Sequence, residues 1–160
     1  MTSWARPQSA SNDHVIAMTM GEPSGIGAEL TVKSWSRRRD FSTPFVAIDN
    51  VERLKATSRA LGLDVSIEAV QTPKQAVDIF NIALPVIETP LAEPCRPGHL
   101  SQANAHAAIT SIKTAAYLAQ QRRVDAIVTN PIHKHNLYGA GFQYPGHTEF
   151  LAQLSSGNPE

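Results

Sequence analysis

The chain has 160 residues, with 14 Lys and Arg against 14 Asp and Glu, so its formal net charge is zero; 42% of residues are apolar and 18% charged. That balance suits one globular domain, excludes a disordered chain, and speaks against nucleic acid as a partner, which calls for an excess of Lys and Arg. Cys95 is the single cysteine, so an internal disulfide framework and a zinc site of paired cysteines are both excluded.

Residues 1–13 are polar, carry no apolar core of the secretory type, and are expected to form a flexible N-terminal extension. No apolar run approaches the ~20 residues that span a bilayer, so the expectation is a cytoplasmic protein with no membrane partner. Residues 14–20 (HVIAMTM) form a short apolar run before a Gly/Pro cluster and predict a buried strand. Residues 21–27 (GEPSGIG) are a loop, and a helix is expected over 26–39 with Ile26, Leu30 and Trp35 facing inward. A second strand is expected at 44–48. A helix over 51–61 follows, closed by Gly62. A third strand is expected at 65–69. Residues 79–87 are extended, and Pro85 demotes that segment to an edge strand or strand end. Three prolines between 88 and 98 make an ordered loop or crossover.

The strongest helix signal is 101–122, with Ser101 as N-cap and an apolar stripe of Ala105, Ala108, Ile109, Ile112, Ala115, Ala116 and Ala119. A buried strand is expected at 125–129 and a short helix at 133–138, stopped by Gly139 and Gly141. A last helix at 149–154 is opened by Thr148. Strands alternating with helices predict an α/β fold with a mostly parallel sheet and flanking helices over 14–160. The final helix is short for a sheet that needs both faces covered, so the chain looks like part of a larger fold, with a compact small domain as the alternative.

Three segments could carry chemistry. The 21–27 loop joins a strand to a helix. Its glycines permit close backbone approach, and the helix start favours an anion. Its GxxxGxG spacing matches neither the dinucleotide fingerprint nor the Walker loop, and a tight turn with no ligand explains it equally. The 129–135 segment (TNPIHKH) follows a strand, where ligands of open α/β sheets bind. Lys134 could meet a phosphate or carboxylate there, or stand solvated. The 145–149 segment (PGHTE) opens a helix, and His147 could hydrogen-bond a substrate oxygen or ligate a metal, or be an ordinary loop histidine. His133, His135 and His147 are the one plausible metal cluster, but a site made of these three is not expected, and no residue is assigned as a metal ligand. The basic runs 37–39 and 122–123 sit at predicted helix ends, where cations offset the dipole.

Taken in order, GEPSGIGAEL, TNPIHK and YPGHTEF, with Gly98–Ser101 (GHLS) opening the long helix, resemble the 4-hydroxythreonine-4-phosphate dehydrogenase family of vitamin B6 biosynthesis. The departures are Ala28 for a proline, Asn130 where glycine is common, and Ala105 for a helix glycine. The resemblance implies an isocitrate/isopropylmalate dehydrogenase-like fold, present here as its N-terminal portion. It implies NAD-dependent oxidation of 4-hydroxythreonine 4-phosphate to a β-keto acid that decarboxylates to 3-amino-2-oxopropyl phosphate. Relatives acting on a phosphorylated sugar acid or a dihydrodiol dicarboxylate share much of the pattern. A non-catalytic, anion-binding or dimerising fragment is the other alternative. By resemblance, His147 and Thr148 bind substrate, Lys134 is the catalytic candidate, and Gly21, Glu22, Gly25 and Gly27 are cofactor-binding candidates. NAD and a divalent cation (Zn, Mg or Co) are implied, with the metal ligands in sequence beyond this chain, which alone is expected to be inactive. A homodimer is implied as well.

Overall fold

The computed structural model describes residues 14–40 and 43–156; the expected N-terminal extension lies outside the described residues. Five parallel strands are β1 (Ile16–Thr19), β2 (Phe45–Asp49), β3 (Ile67–Ala69), β4 (Leu84–Glu88) and β5 (Ala126–Val128). They pair in the order β3-β4-β2-β1-β5. The helices are α1 (Gly27–Ser36), α2 (Val51–Ala60), α3 (Pro73–Ile79), α4 (Gln102–Gln120), α5 (Lys134–Gly139) and α6 (His147–Ser155). The expected parallel α/β architecture is therefore the one observed.

The strand period of two divides the core. Phe45 and Ala47 of β2 face a cluster with Ala28, Val32, Trp35 and Leu54 from α1 and α2. Val46 and Ile48 face the opposite cluster, with Ala76 of α3 and Ala115 and Leu118 of α4. All five residues of β2 are buried, as a central parallel strand requires. The alanine stripe of α4 lets that helix lie close to the sheet. Ser111 at its centre donates to the Ile48 carbonyl at 2.7 Å and accepts from the Met20 N–H at 2.9 Å, so one hydroxyl ties together the carboxyl ends of β1 and β2.

Four expectations are corrected. Ile26 and Leu30 do not face inward: they are 57% and 40% exposed, because α1 docks through Ala28, Val32 and Trp35. The 79–87 segment is not one extended run. Residues 73–79 form α3, fastened by a capping box in which Thr72 Oγ1 accepts from the Gln75 N–H and Gln75 Oε1 accepts from the Thr72 N–H. Pro85 does not sit on an edge strand, since β4 lies between β3 and β2; the strand-end alternative is the one observed, Pro85 being the second residue of β4. The strand tolerates it by register. The Leu84 N–H donates to Ser66 on the β3 side, alternation turns the next position toward β2, and the β2 ladder begins one residue later at Val86. Finally, β5 is not buried but outermost, with Ala126 and Val128 exposed and Ile127 half-buried.

Smaller differences concern helix ends. Helix α1 stops at Ser36 and is followed by a 3-10 turn at Arg38–Asp40. Arg38 lies 3.9 Å from the Trp35 ring centre and donates to the Asn81 carbonyl, so this basic run has structural uses. Ser101 is the N-cap of α4, yet its hydroxyl bonds the Glu93 carboxylate instead of the helix.

The two isoleucines of the α4 stripe make a direct test of depth. Ile112 is fully buried and Ile109 half-buried. Ile112→Ala is expected to cost about 2–5 kcal/mol in urea unfolding, and Ile109→Ala clearly less; equal losses would contradict this placement of the helix.

Candidate functional site at the carboxyl ends of β1 and β5

From β1 the chain moves to β2 on one side, and after β4 it returns to place β5 on the other. Chain direction thus switches between β1 and β5, and the crevice outside their carboxyl ends is where an open α/β sheet holds ligands. The glycine turn follows β1 and the Asn130 segment follows β5.

The two turns are packed against each other. The Glu22 N–H donates to the Pro131 carbonyl at 2.8 Å. Asn130 Nδ2 donates to the Thr19 carbonyl at 2.8 Å and to Thr31 Oγ1 at 3.0 Å. A methyl group on Gly21 would stand 2.6 Å from the Pro131 oxygen, and Gly21 also has φ of +72°. A methyl on Gly27 would stand 2.3 Å from the Met20 oxygen. These two glycines therefore serve the approach of backbone to backbone. Gly25 differs: it is exposed, as is Ile26, and no side-chain hydrogen bond caps α1 among the described residues. The start of α1 thus leaves backbone N–H groups for an anion.

Glu22 is 4% exposed. Its Oε1 accepts from the Ser24 N–H at 3.3 Å and its Oε2 from Asn136 Nδ2 at 3.2 Å. Asn136, on α5, also donates to the Ser101 carbonyl, so Glu22 links the glycine turn to α5 and to the start of α4. Sequence reasoning missed this role, and it missed Arg53 and Asp49 behind the turn. Arg53 Nη1 lies 2.7 Å from both Asp49 carboxylate oxygens. Burial pushes the Asp49 carboxyl up from its ordinary range, and the guanidinium opposes that shift. The available signal was an i,i+4 Asp–Arg pair across the end of an apolar strand.

The third turn joins the other two through Lys134. A methyl on Gly146, the N-cap of α6, would stand 4.0 Å from Lys134 Nζ. His147 is the first residue of α6 and half-buried; its Nε2 is buried without a hydrogen-bond partner among the described residues. Thr148 and Lys134 are exposed. Helix α6 is held by a third cluster, in which Phe150 meets Phe142 edge to face at 5.0 Å beside Leu137 and Ile112. All three turns therefore meet at one rim. His133 and His135 do not join it as ligands: His133 Nδ1 accepts from the Asn136 N–H as the cap of α5, and His135 is exposed. Among the described residues no group of three His, Cys, Asp or Glu side chains could hold a metal ion. Nor is any helix among them long and apolar enough to cross a membrane.

Two outcomes follow from this geometry. Helix propensity favours Gly27→Ala by about 1 kcal/mol, but the clash with the Met20 carbonyl opposes it. The net expected effect is a loss of about 1–3 kcal/mol in denaturant unfolding, and a stabilised variant would refute the packing described. Burial, then the Lys134 ammonium, hold the His147 imidazole below its ordinary value. Between that lowered value and the unfolded one near 6.5, the unfolded chain binds more protons, so stability falls as pH drops through this window. His147→Gln should flatten that part of the stability profile, and Lys134→Met should move the His147 titration upward by NMR.

Comparison with known proteins places these features. A family model described as pyridoxal phosphate biosynthetic protein PdxA matches residues 40–159. The chain is 43% identical over 150 residues to the 4-hydroxythreonine-4-phosphate dehydrogenase of Methylorubrum populi, covering 92% of this chain and 43% of that one. To the enzyme of the same name from Zymomonas mobilis it is 39% identical, covering 86% and 40%. The crystal structure of a 4-hydroxythreonine-4-phosphate dehydrogenase from Burkholderia phymatum superposes with a TM-score of 0.78 at 31% identity, over 91% of this chain and 44% of that one. The Klebsiella pneumoniae structure of that name gives 0.76 at 33%, over 89% and 45%. A terephthalate 1,2-cis-dihydrodiol dehydrogenase from Burkholderia xenovorans, at 21% identity, shares the fold alone. The chain spans less than half the length of the relatives it matches, and over that span it belongs to the pyridoxal phosphate biosynthetic protein PdxA family.

Proposed function

We propose that the chain forms the N-terminal part of an NAD-dependent dehydrogenase that oxidises 4-hydroxythreonine 4-phosphate in pyridoxal phosphate biosynthesis, and that its rim of three turns is half of the active site. The observation that carries this reading is the convergence of an open α1 start, the Lys134 ammonium and the unpartnered His147 Nε2 at the β1/β5 switch point.

Each residue has a task in this reaction. Lys134 and the starts of α1 and α6 supply positive potential for an anionic substrate. His147, its imidazole held below its ordinary value by burial and then by the Lys134 ammonium, has an unpartnered Nε2 that could donate to or accept from the substrate once uncovered, and Thr148 offers an exposed hydroxyl beside it. Lys134 is the catalytic candidate, its ammonium offsetting the negative charge that develops on the substrate oxygen as the hydroxyl proton passes to solvent, a charge consumed when the carbonyl forms and hydride departs. A bound nicotinamide dinucleotide supplies the hydride acceptor. Of the four cofactor candidates, exposed Gly25 is the one that could meet the dinucleotide, whereas Gly21, Glu22 and Gly27 support the turn from behind. The described side chains do not fit a divalent cation, so no step is routed through one. That observation favours a second reading for the isolated chain, an anion-binding fragment without turnover. A homodimer is the proposed assembly.

The test replaces the matched N-terminal region of the Methylorubrum populi relative with this chain and follows NADH formation from 4-hydroxythreonine 4-phosphate with added divalent metal. Turnover is expected in the chimera and is expected to fall at least about 100-fold in His147→Ala, with the melting temperature little changed. A folded chimera without turnover would contradict the assignment, and turnover by the 160-residue chain alone would contradict the half-site.

A further inference from the structure

We propose that Arg53, on α2 and outside the rim, is the positioning residue that fixes the glycine turn and, through it, the helix carrying Lys134. This rests on the rim being an anion-holding half-site. Arg53 is 7% exposed and uses three nitrogens. Nη1 binds both oxygens of Asp49, the last residue of β2. Nε donates to the Pro23 carbonyl at 2.7 Å and Nη2 to the Glu22 carbonyl at 3.2 Å. One buried guanidinium therefore joins the carboxyl end of a central strand to two consecutive peptides of the turn.

The link continues. Glu22, whose backbone Arg53 holds, receives Asn136 on its carboxylate. Asn136 stands two residues beyond Lys134 on α5 and also binds the Ser101 carbonyl. Strand end, turn and α5 thus form one chain of hydrogen bonds. A buried ion pair is a weak source of stability, because desolvating two charges offsets most of their attraction. What it supplies here is geometry: fixed donors aimed at the Pro23 carbonyl and at the Glu22 carbonyl, which also accepts from the Gly25 N–H. Asp49 holds the guanidinium in place for that purpose. Lysine keeps the charge but has a single nitrogen for three sets of acceptors.

The experiment uses the 160-residue chain and Arg53→Lys. Two quantities are measured: amide exchange at residues 21–27 relative to β2, and affinity for inorganic phosphate. Exchange in the turn is expected to quicken about tenfold or more while β2 keeps its protection, and phosphate affinity is expected to fall about tenfold. Uniform loss of protection across β1, β2 and the turn would reduce Arg53 to general support and overturn the proposal. So would unchanged exchange in the turn, or unchanged affinity where the parent chain binds phosphate. If the parent chain binds no phosphate, the anion-holding rim fails, and the exchange comparison alone decides the role of Arg53. Should Arg53→Lys not fold, Asp49→Asn, which loosens the guanidinium without removing it, is expected to give the same selective pattern at smaller amplitude. Its failure to do so overturns the proposal equally.

Discussion

The approach of the β1 and β5 turns at Asn130 is the contact on which the site depends. Two backbone segments come together with no room for a side chain on Gly21 or Gly27. Close approach of backbone leaves polar groups facing each other, and each needs a partner. Asn130 answers this with its amide, donating to the Thr19 carbonyl at the end of β1 and to Thr31 on α1. A side chain buried at 4% exposure thus stitches the junction. It acts beside the Glu22–Pro131 backbone bond and the Asn136–Glu22 contact, which also join the glycine turn to the segment of Lys134.

Much of the fold was legible in the sequence because its strands are short apolar runs bounded by Gly, Pro and Asn. The α4 stripe was legible for a different reason: small residues at helical spacing over a long segment leave little ambiguity. The misreadings share a physical cause. The phase of α1 cannot be fixed from ten residues that mix Ile26 and Leu30 with Ala28 and Val32, because docking on the sheet decides which apolar pair turns inward. Helix α3 was hidden by its seven-residue length, although its Thr72-Pro73 start was visible. Pro85 misled because its effect depends on register, and strand register is set by partners far along the chain. At the site, the turns could be named from the sequence, but which glycines face a ligand and which face backbone could not. Gly21, Gly25 and Gly27 look alike in one dimension and differ in what lies within a few ångströms.

Electrostatics separates the rim from a larger neighbour. A trough of about 650 Å³ lies between α1, α2 and the proline-rich segment, with Pro23, Ala56, Leu61 and Leu91 among its walls. Size alone would favour it as the ligand site. Its charged lining is Glu29, Glu52, Glu93 and Arg53, and Arg53 is already paired with Asp49. Glu29 and Glu52 are paired as well, with Lys33 and Lys55, so among the described residues the lining holds no unpaired cation for a phosphate. The rim differs, with Lys134 and two helix starts beside Glu149 of α6, while its buried carboxylate, Glu22, is engaged by Asn136 and the Ser24 N–H. The topological switch point falls at the rim as well. Charge and topology agree, and volume is the criterion that misleads.

The two sides of the rim are built with unequal firmness. On the β1 side, the turn stands on a central strand, backed by Arg53 and by Ser111 of α4. On the β5 side, the supporting strand is three residues long and outermost, with Ala126 and Val128 exposed on the face toward α1, since Ile127 packs toward α4. Parallel sheets are normally covered on both faces, and here β5 is covered on one. Helix α6 accordingly owes its position to the aromatic cluster of Phe142, Tyr144 and Phe150 against α4, more than to the sheet, while α5 is tied as well through Asn136 to Glu22 and Ser101. A helix held by one small cluster opens at lower free energy than the core. The half of the rim that carries His147 and Thr148 is thus held by fewer contacts with the sheet than the glycine turn, which stands on a central strand and is fastened by Arg53.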